Sequence, residues 1–186
     1  MRIIAGMWKG RTILSPKSSA TRPTTDRLRE AIFSALSHQI DLDGANIADI
    51  CAGTGALGFE ALSRGAKHCY FVERNRIMTE VMCKVAVALN AEPDSFDIIC
   101  GDAIRYTAAF PSDATACDIV FFDPPYAELL CNKFVRCLHT SNILKAGGLL
   151  VAEHDVKEVV MPPADWRRIA QKSVGSTIVD ILQKPL

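Results

Sequence analysis

The chain has 186 residues, 49% of them hydrophobic, which is enough for one globular domain with its own core. No apolar run reaches the roughly 18 residues of a membrane-spanning helix, so a membrane function class is excluded. Formal charge is zero, but residues 1–30 carry seven basic and two acidic side chains, whereas the remainder carries fourteen basic and nineteen acidic. A basic arm on an acidic body steers a polyanion to one face. The first residues reach Trp8, Lys9 and Arg11 without the apolar segment of a secretory signal, so a cytoplasmic protein is expected. Seven cysteines, none in a C-x-x-C pair, read as reduced small hydrophobes, and four scattered histidines give no metal site.

In chain order, residues 2–5 and 11–14 flank Gly6 and Gly10 and predict a short hairpin. Residues 15–24, with Pro16 and Pro23, predict a loop. A helix follows, with Thr25 as its cap and Leu28, Ala31, Ile32, Ala35 and Leu36 as its apolar face. Strands are predicted at 46–51, 69–72, 96–100, 118–122 and 148–153. Helices are predicted at 56–64, at 77–89 with Ile77, Val81, Val85 and Leu89 facing inward, and at 129–138. Strands 166–170 and 176–182 are joined by too few residues for a parallel crossover, so they form an antiparallel hairpin. The alternation predicts an α/β fold with a seven-stranded, mostly parallel sheet ending in that hairpin.

Two motifs stand where strands give way to loops. Gly53-x-Gly55-x-x-Gly58 follows the first strand, and Glu73 ends the second, twenty residues after Gly53. Such a loop lets backbone approach a nucleoside ligand while the carboxylate accepts from ribose hydroxyls. NAD and S-adenosylmethionine both suit this pattern. Asp49, just before the glycines, favours the methyl donor, because it places negative charge near a sulfonium and an ammonium rather than near a pyrophosphate. Asp102, after the third strand, is placed to accept from an adenine amine or to cap the following turn.

Asp123-Pro124-Pro125-Tyr126 follows the fourth strand at the same edge. Two prolines stiffen the turn and remove amide donors, leaving the Asp123 carboxylate and the Pro124 carbonyl as acceptors for a planar –NH2 group. Tyr126 offers a ring face for base stacking. Acceptors on both amine hydrogens aim the nitrogen lone pair at a methyl donor, so orientation outweighs strong base catalysis. The target base must be unpaired or flipped out. Arg2, Trp8, Lys9, Arg11, Arg22, Arg27 and Arg29 form the expected phosphate clamp. Arg22-Pro23-Thr24 is expected to close over the donor, which adds Thr24 to the donor-binding set.

The chain resembles the bacterial 16S ribosomal RNA guanine-N2 methyltransferases, of the Rossmann-like class I type, over nearly its whole length. The resemblance is carried by residues 2–11 (RIIAGMWKGR), 21–30 (TRPTTDRLRE), 51–64 (CAGTGALGFEALSR) and 123–126 (DPPY). It implies that Gly53, Gly55 and Glu73 hold S-adenosylmethionine with Asp102 near its adenine, and that residues 123–126 hold the guanine amine. It also implies a domain of residues 25–186 behind a basic hairpin and loop of residues 1–24. The partner implied is 16S rRNA in an assembling small ribosomal subunit, met by a monomer. Cys51 stands where an aromatic is common, and Tyr126 is Phe in some relatives. A DNA adenine-N6 methyltransferase uses the same amine logic but needs a target-recognition insertion. A protein-glutamine methyltransferase usually begins the turn with Asn. An NAD oxidoreductase lacks its catalytic pair here, and a non-catalytic RNA-binding protein would not need the full polar set.

Overall fold

The computed structural model describes residues 1–14, 26–125 and 129–186. Helix α1 is Asp26–Leu36, followed by β1 Asn46–Ile50, α2 Ala56–Ser63, β2 His68–Glu73 and α3 Arg76–Leu89. Next come β3 Phe96–Cys100, α4 Ala103–Ala108, β4 Cys117–Phe122, α5 Cys131–Thr140, β5 Leu144–Asp155, β6 Arg167–Val174 and β7 Thr177–Gln183. The sheet order is β3-β2-β1-β4-β5-β7-β6. Pairs among β1 to β5 are parallel, and β7 runs antiparallel to both β5 and β6. The α/β class, the parallel sheet and the closing antiparallel pair are as the sequence predicts.

Both faces of the sheet are covered, and strand alternation divides the core accordingly. Ile47, Phe71, Ile119, Phe121 and Val151 face α1, α2 and α3. Ala48, Ile50, Val72, Val120, Phe122 and Leu150 face the other way, against Phe134, Val135 and Leu138 of α5. Ile3 and Ile13 of the N-terminal hairpin join the first of these clusters. That hairpin is a narrow one: Ile3 N donates to Arg11 O at 3.0 Å, Gly10 N to Ile3 O at 2.9 Å and Ile13 N to Met1 O at 3.0 Å.

Several predicted details differ. The buried face of α1 is Leu28, Arg29, Ile32, Phe33 and Leu36, with Ala31 and Ala35 at its margin. Turning Phe33 inward buries far more apolar area than either alanine offers. In α3 the buried set is Thr79, Met82, Val85, Ala86 and Leu89, while Ile77 is exposed. A strict four-residue step drifts by about 40° per step on a 3.6-residue helix, so four such positions cannot all face one sheet. The turn after Asp102 is a helix, α4, which Asp102 starts by accepting from Arg105 N at 2.9 Å. Helix α5 begins and ends two residues later than predicted, and β5 extends at both ends. The predicted loop of residues 15–24 and the Thr25 cap lie outside the described residues.

β1 is the point from which the chain winds outward in both directions: β2 and β3 on one side, β4 and β5 on the other. Ligands in open α/β sheets bind outside the carboxyl ends of strands at such a switch point. The register places Ile50 beside both Val72 and Phe122, with Ala152 beyond Phe122. The next residue on each strand is therefore Glu73, Cys51, Asp123 or Glu153, in one row along the edge.

Candidate active site

Glu73 ends β2 half-buried, and its carboxylate spans the edge of the sheet. Oε2 accepts from Gly53 N at 2.9 Å and Oε1 from Asn75 N at 2.8 Å. The twenty-residue spacing thus becomes a direct contact between the acid and the glycine loop. Gly53 and Gly55 both have positive φ, 55° and 76°, and Gly55 caps α2. At Gly58 the constraint is space: a Cβ there would lie 2.2 Å from Cε1 of Phe71. The helix can sit this close to β2 only with glycine at that position.

Asp49 does not point where the sequence reading placed it. It shares the α2-facing side of β1 with Ile47, is 1% exposed, and accepts from Gly58 N at 2.8 Å. It fastens the start of α2 rather than lining the ligand edge, and its assignment as a donor-binding group is corrected to a loop-positioning one. Burial raises its pKa to about 7; the Gly58 amide opposes this and the Glu73 charge adds to it. Asp102 is exposed, and its Oδ1 is engaged as the α4 cap, which leaves Oδ2 to meet a ligand amine.

Cys51, between these groups, has a φ of 64°. A left-handed conformation at a non-glycine residue stores about 1–3 kcal/mol, and such residues cluster at ligand sites. Its thiol pKa is pushed up by burial, then by the charges of Glu73, Asp123 and Asp49. The charge of Arg74 opposes this rise.

Asp123 is half-buried next to Cys51, Pro124 is buried and Pro125 exposed. Asp123 N lies 3.4 Å from Ile50 O, which continues the β1–β4 ladder into the turn. Tyr126 lies outside the described residues, as do Arg22 and Thr24. Helix α5 is tied to the end of β5 and the residues after it. Cys131 Sγ donates to Glu153 O at 3.5 Å, and Asn132 N donates to Glu158 Oε1 at 3.1 Å. The Asn132 side chain also donates to Val159 O and accepts from Met161 N. Phe134 stacks on Phe122 at 3.8 Å and 4°, which ties α5 to the strand that carries Asp123.

The predicted RNA-facing residues separate into groups. Arg2, Lys9 and Arg27 are exposed and line one groove of about 370 Å³ between the hairpin and α1, together with Asp26 and Glu30. Trp8 is half-buried against the core, and Arg11 is exposed with Nη2 donating to Ala88 O near the end of α3. Arg29 is corrected: it is fully buried. Its Nη2 donates to Arg2 O and to Asp26 Oδ1, each at 2.6 Å. It braces the arm from beneath and cannot touch a phosphate.

The family model described as "Conserved hypothetical protein 95" matches residues 1–183, hairpin and sheet together. The chain belongs to this family. The chain is also similar to curated proteins named ribosomal RNA small subunit methyltransferase D. The one from Escherichia coli strain K12 is 33% identical, over 99% of this chain and 90% of its own length. The one from Haemophilus influenzae is 32% identical, over 94% and 89%. The solved structure of yhhF from Escherichia coli superposes with a TM-score of 0.87 at 31% identity, covering 100% of this chain and 98% of that one. The fold extends further: SMU.776, solved complexed with SAH, has a TM-score of 0.69 at 14% identity, over 84% of this chain and 48% of that one.

In this member of the conserved hypothetical protein 95 family, several functional-looking polar groups escaped the sequence reading. Glu60 and Ser63 of α2 hold the hairpin. His154 and Asp180, 2% and 0% exposed, meet at 3.1 Å, and Asp180 also accepts from Arg168 Nε at 2.9 Å. Burial alone would lower the His154 pKa, but hydrogen bonds to Asp180 and to the Asp155 carbonyl raise it overall. The available signal was a charged residue inside an apolar run, as in Ala56-Leu57-Gly58-Phe59-Glu60-Ala61-Leu62.

Proposed function

We propose that this protein transfers a methyl group from S-adenosylmethionine to the exocyclic N2 of a guanine in 16S ribosomal RNA of the small subunit. The observation that carries the reading is the row Glu73–Cys51–Asp123: a ribose-type acceptor and an amine-type acceptor stand at the ends of the two strands that flank β1. Support for ribosomal RNA as substrate comes from the relatives named small subunit methyltransferase D. No helix among the described residues is long and apolar enough to cross a membrane.

The residues present fit the methyl donor. Glu73, already bridging to the Gly53 amide, offers its oxygens to ribose hydroxyls, and Oδ2 of Asp102 offers an acceptor to the adenine amine. When bound, S-adenosylmethionine supplies an electrophilic methyl on a sulfonium. Asp123 and the Pro124 carbonyl accept the two amine hydrogens of the guanine and fix the direction of the nitrogen lone pair. As the N–C bond forms and the S–C bond breaks, positive charge grows on nitrogen, and the Asp123 carboxylate stabilises it most at that point. The proton then leaves through Asp123 to water. Tyr126 is assigned the stacking role, and Arg2, Lys9 and Arg27 the phosphate contacts.

The test is methyl transfer from labelled S-adenosylmethionine to small subunits from cells lacking this modification, with the product mapped to its nucleotide and atom. Label on guanine N2 of 16S rRNA is expected. Label on adenine, on DNA or on protein would replace the reading with a rival, as would calorimetric binding of NAD in place of S-adenosylmethionine.

A further inference from the structure

The amino half of α2 serves the glycine loop; its carboxyl half grips the N-terminal hairpin. Glu60 is fully buried, and its carboxylate accepts from Ile4 N at 2.7 Å, Ala5 N at 3.0 Å and Arg64 Nε at 2.8 Å. One turn later, Ser63 Oγ donates to Ala5 O at 2.6 Å and accepts from Trp8 N at 3.0 Å, while Ser63 O accepts from Met7 N at 2.7 Å. Gly6 crosses the helix between these bonds with φ of 81°, and a Cβ there would lie 1.7 Å from Ser63 O. The hairpin therefore lies directly on the helix backbone. Arg64 extends the contact to α1, with its guanidinium 4.6 Å from the Phe33 ring centre.

A buried carboxylate is costly unless donors surround it, and here two backbone amides and a guanidinium do so, each of which an apolar side chain would leave without this acceptor. What the carboxylate adds is directional: two consecutive backbone amides of the hairpin can dock in only one register. The other end of the same helix is fixed by Gly55 and by the Asp49–Gly58 bond. An eight-residue helix spans about 12 Å, so one short rigid element joins the glycine loop to the hairpin.

We propose that Glu60, assisted by Ser63, is a positioning residue that sets where the RNA-gripping hairpin stands relative to the methyl donor. Phosphates held by Arg2, Lys9 and Arg27 then bring the target guanine over Asp123 in one register. The nature of the substrate rests on the function proposed above; the placement of the hairpin by α2 does not.

The test uses the full chain with Glu60→Gln, which turns one acceptor into an amide NH2 facing a backbone N–H. Hydrogen exchange at Ile4 and Ala5 is expected to accelerate about tenfold or more, in line with the loss of a charged hydrogen bond. KM for unmodified small subunits is expected to rise by about tenfold, with the larger part of the lost efficiency in KM rather than kcat. Calorimetric affinity for S-adenosylmethionine is expected to stay within about twofold, since the glycine loop keeps its own bonds. Ser63→Ala, a milder change, should move exchange and KM in the same direction by about threefold and serves if Glu60→Gln does not fold. A folded variant with unchanged KM for subunits overturns the proposal, as does a parallel loss of donor affinity. Collapse of both variants would assign the pair to stability alone and overturn it equally. Absence of methyl transfer by the unaltered protein would sink the substrate reading, while hydrogen exchange and subunit-RNA binding would still decide the role of Glu60.

Discussion

At the level of single residues, two aspartates at the end of the central strands have opposite duties. Asp123 follows β4 at the carboxyl edge and is proposed to hold the amine; Asp49 is buried against α2 and accepts from Gly58 N. Asp123→Ala should cut kcat by about a hundredfold or more, as expected for loss of a group that acts mainly in the transition state. Affinity for S-adenosylmethionine should change only a few-fold, so an equal loss in turnover and donor binding would contradict the assignment. Asp49 makes a prediction about pH. Its folded pKa of about 7 lies above its ordinary value of 3.8, because burial disfavours the charge. The folded state therefore binds this proton more tightly than the unfolded state. Stability from this site is greatest when Asp49 is protonated and falls as pH rises from the ordinary value through about 7. Asn keeps an acceptor for Gly58 N and carries no charge. Asp49→Asn should thus gain stability relative to the unaltered protein as pH rises from 3.8 to about 7, measured by urea unfolding. A stability difference that does not change with pH would show that Asp49 does not titrate in this range.

At the level of elements, α5 packs on β4, the strand that leads into Asp123. Phe134 is fully buried and stacks on Phe122, one residue before Asp123. Phe134→Ala should cost about 3–5 kcal/mol of stability, whereas Phe134→Leu, which refills most of the space, should cost much less. Denaturant unfolding reads both, and turnover should fall further than donor affinity in the Ala variant. The elements themselves were largely legible in the sequence, because doubly buried strands are continuous apolar runs and glycines mark the turns. The same property hid the direction of Asp49: when both faces of a strand are buried, period two no longer tells which way a carboxylate points. The positions of Glu73 and Asp123 at the carboxyl edge of the sheet were legible because they follow from where β2 and β4 end, whatever the packing. Glu60 was not, since its partners Ile4 and Ala5 stand more than fifty residues away and meet it only when the hairpin docks. Arg29 was misread for a related reason. Its charge marked it as a phosphate contact, and only packing against Arg2 and Asp26 reveals a brace.

At the level of the whole molecule, a zero net charge conceals a working asymmetry. The basic first thirty residues are carried on an acidic body. The fold makes this hairpin part of the main core through Ile3 and Ile13 rather than leaving it a tail. Binding to subunit RNA should weaken steeply with salt, because each neutralised phosphate releases counterions, while binding of S-adenosylmethionine should hardly respond. The structure further separates the cations by exposure. Lys9 and Arg27 are exposed on one groove, so Lys9→Ala and Arg27→Ala should each lower the slope of log affinity against log salt by about 1 and leave unfolding nearly unchanged. Arg29 has the same formal charge but no exposure. Its guanidinium pKa is lowered by burial and sustained by Asp26 and Glu60. Arg29→Ala would leave Arg2 O without this donor and open a cavity under the hairpin, at a cost of about 2–5 kcal/mol, while the exposed Asp26 carboxylate returns to water. It should therefore shift the unfolding midpoint and leave the salt slope of the folded protein close to that of the unaltered chain. Equal effects of Arg29 and Lys9 on the slope would mean that Arg29 reaches the RNA, and the division between gripping and bracing cations would fail.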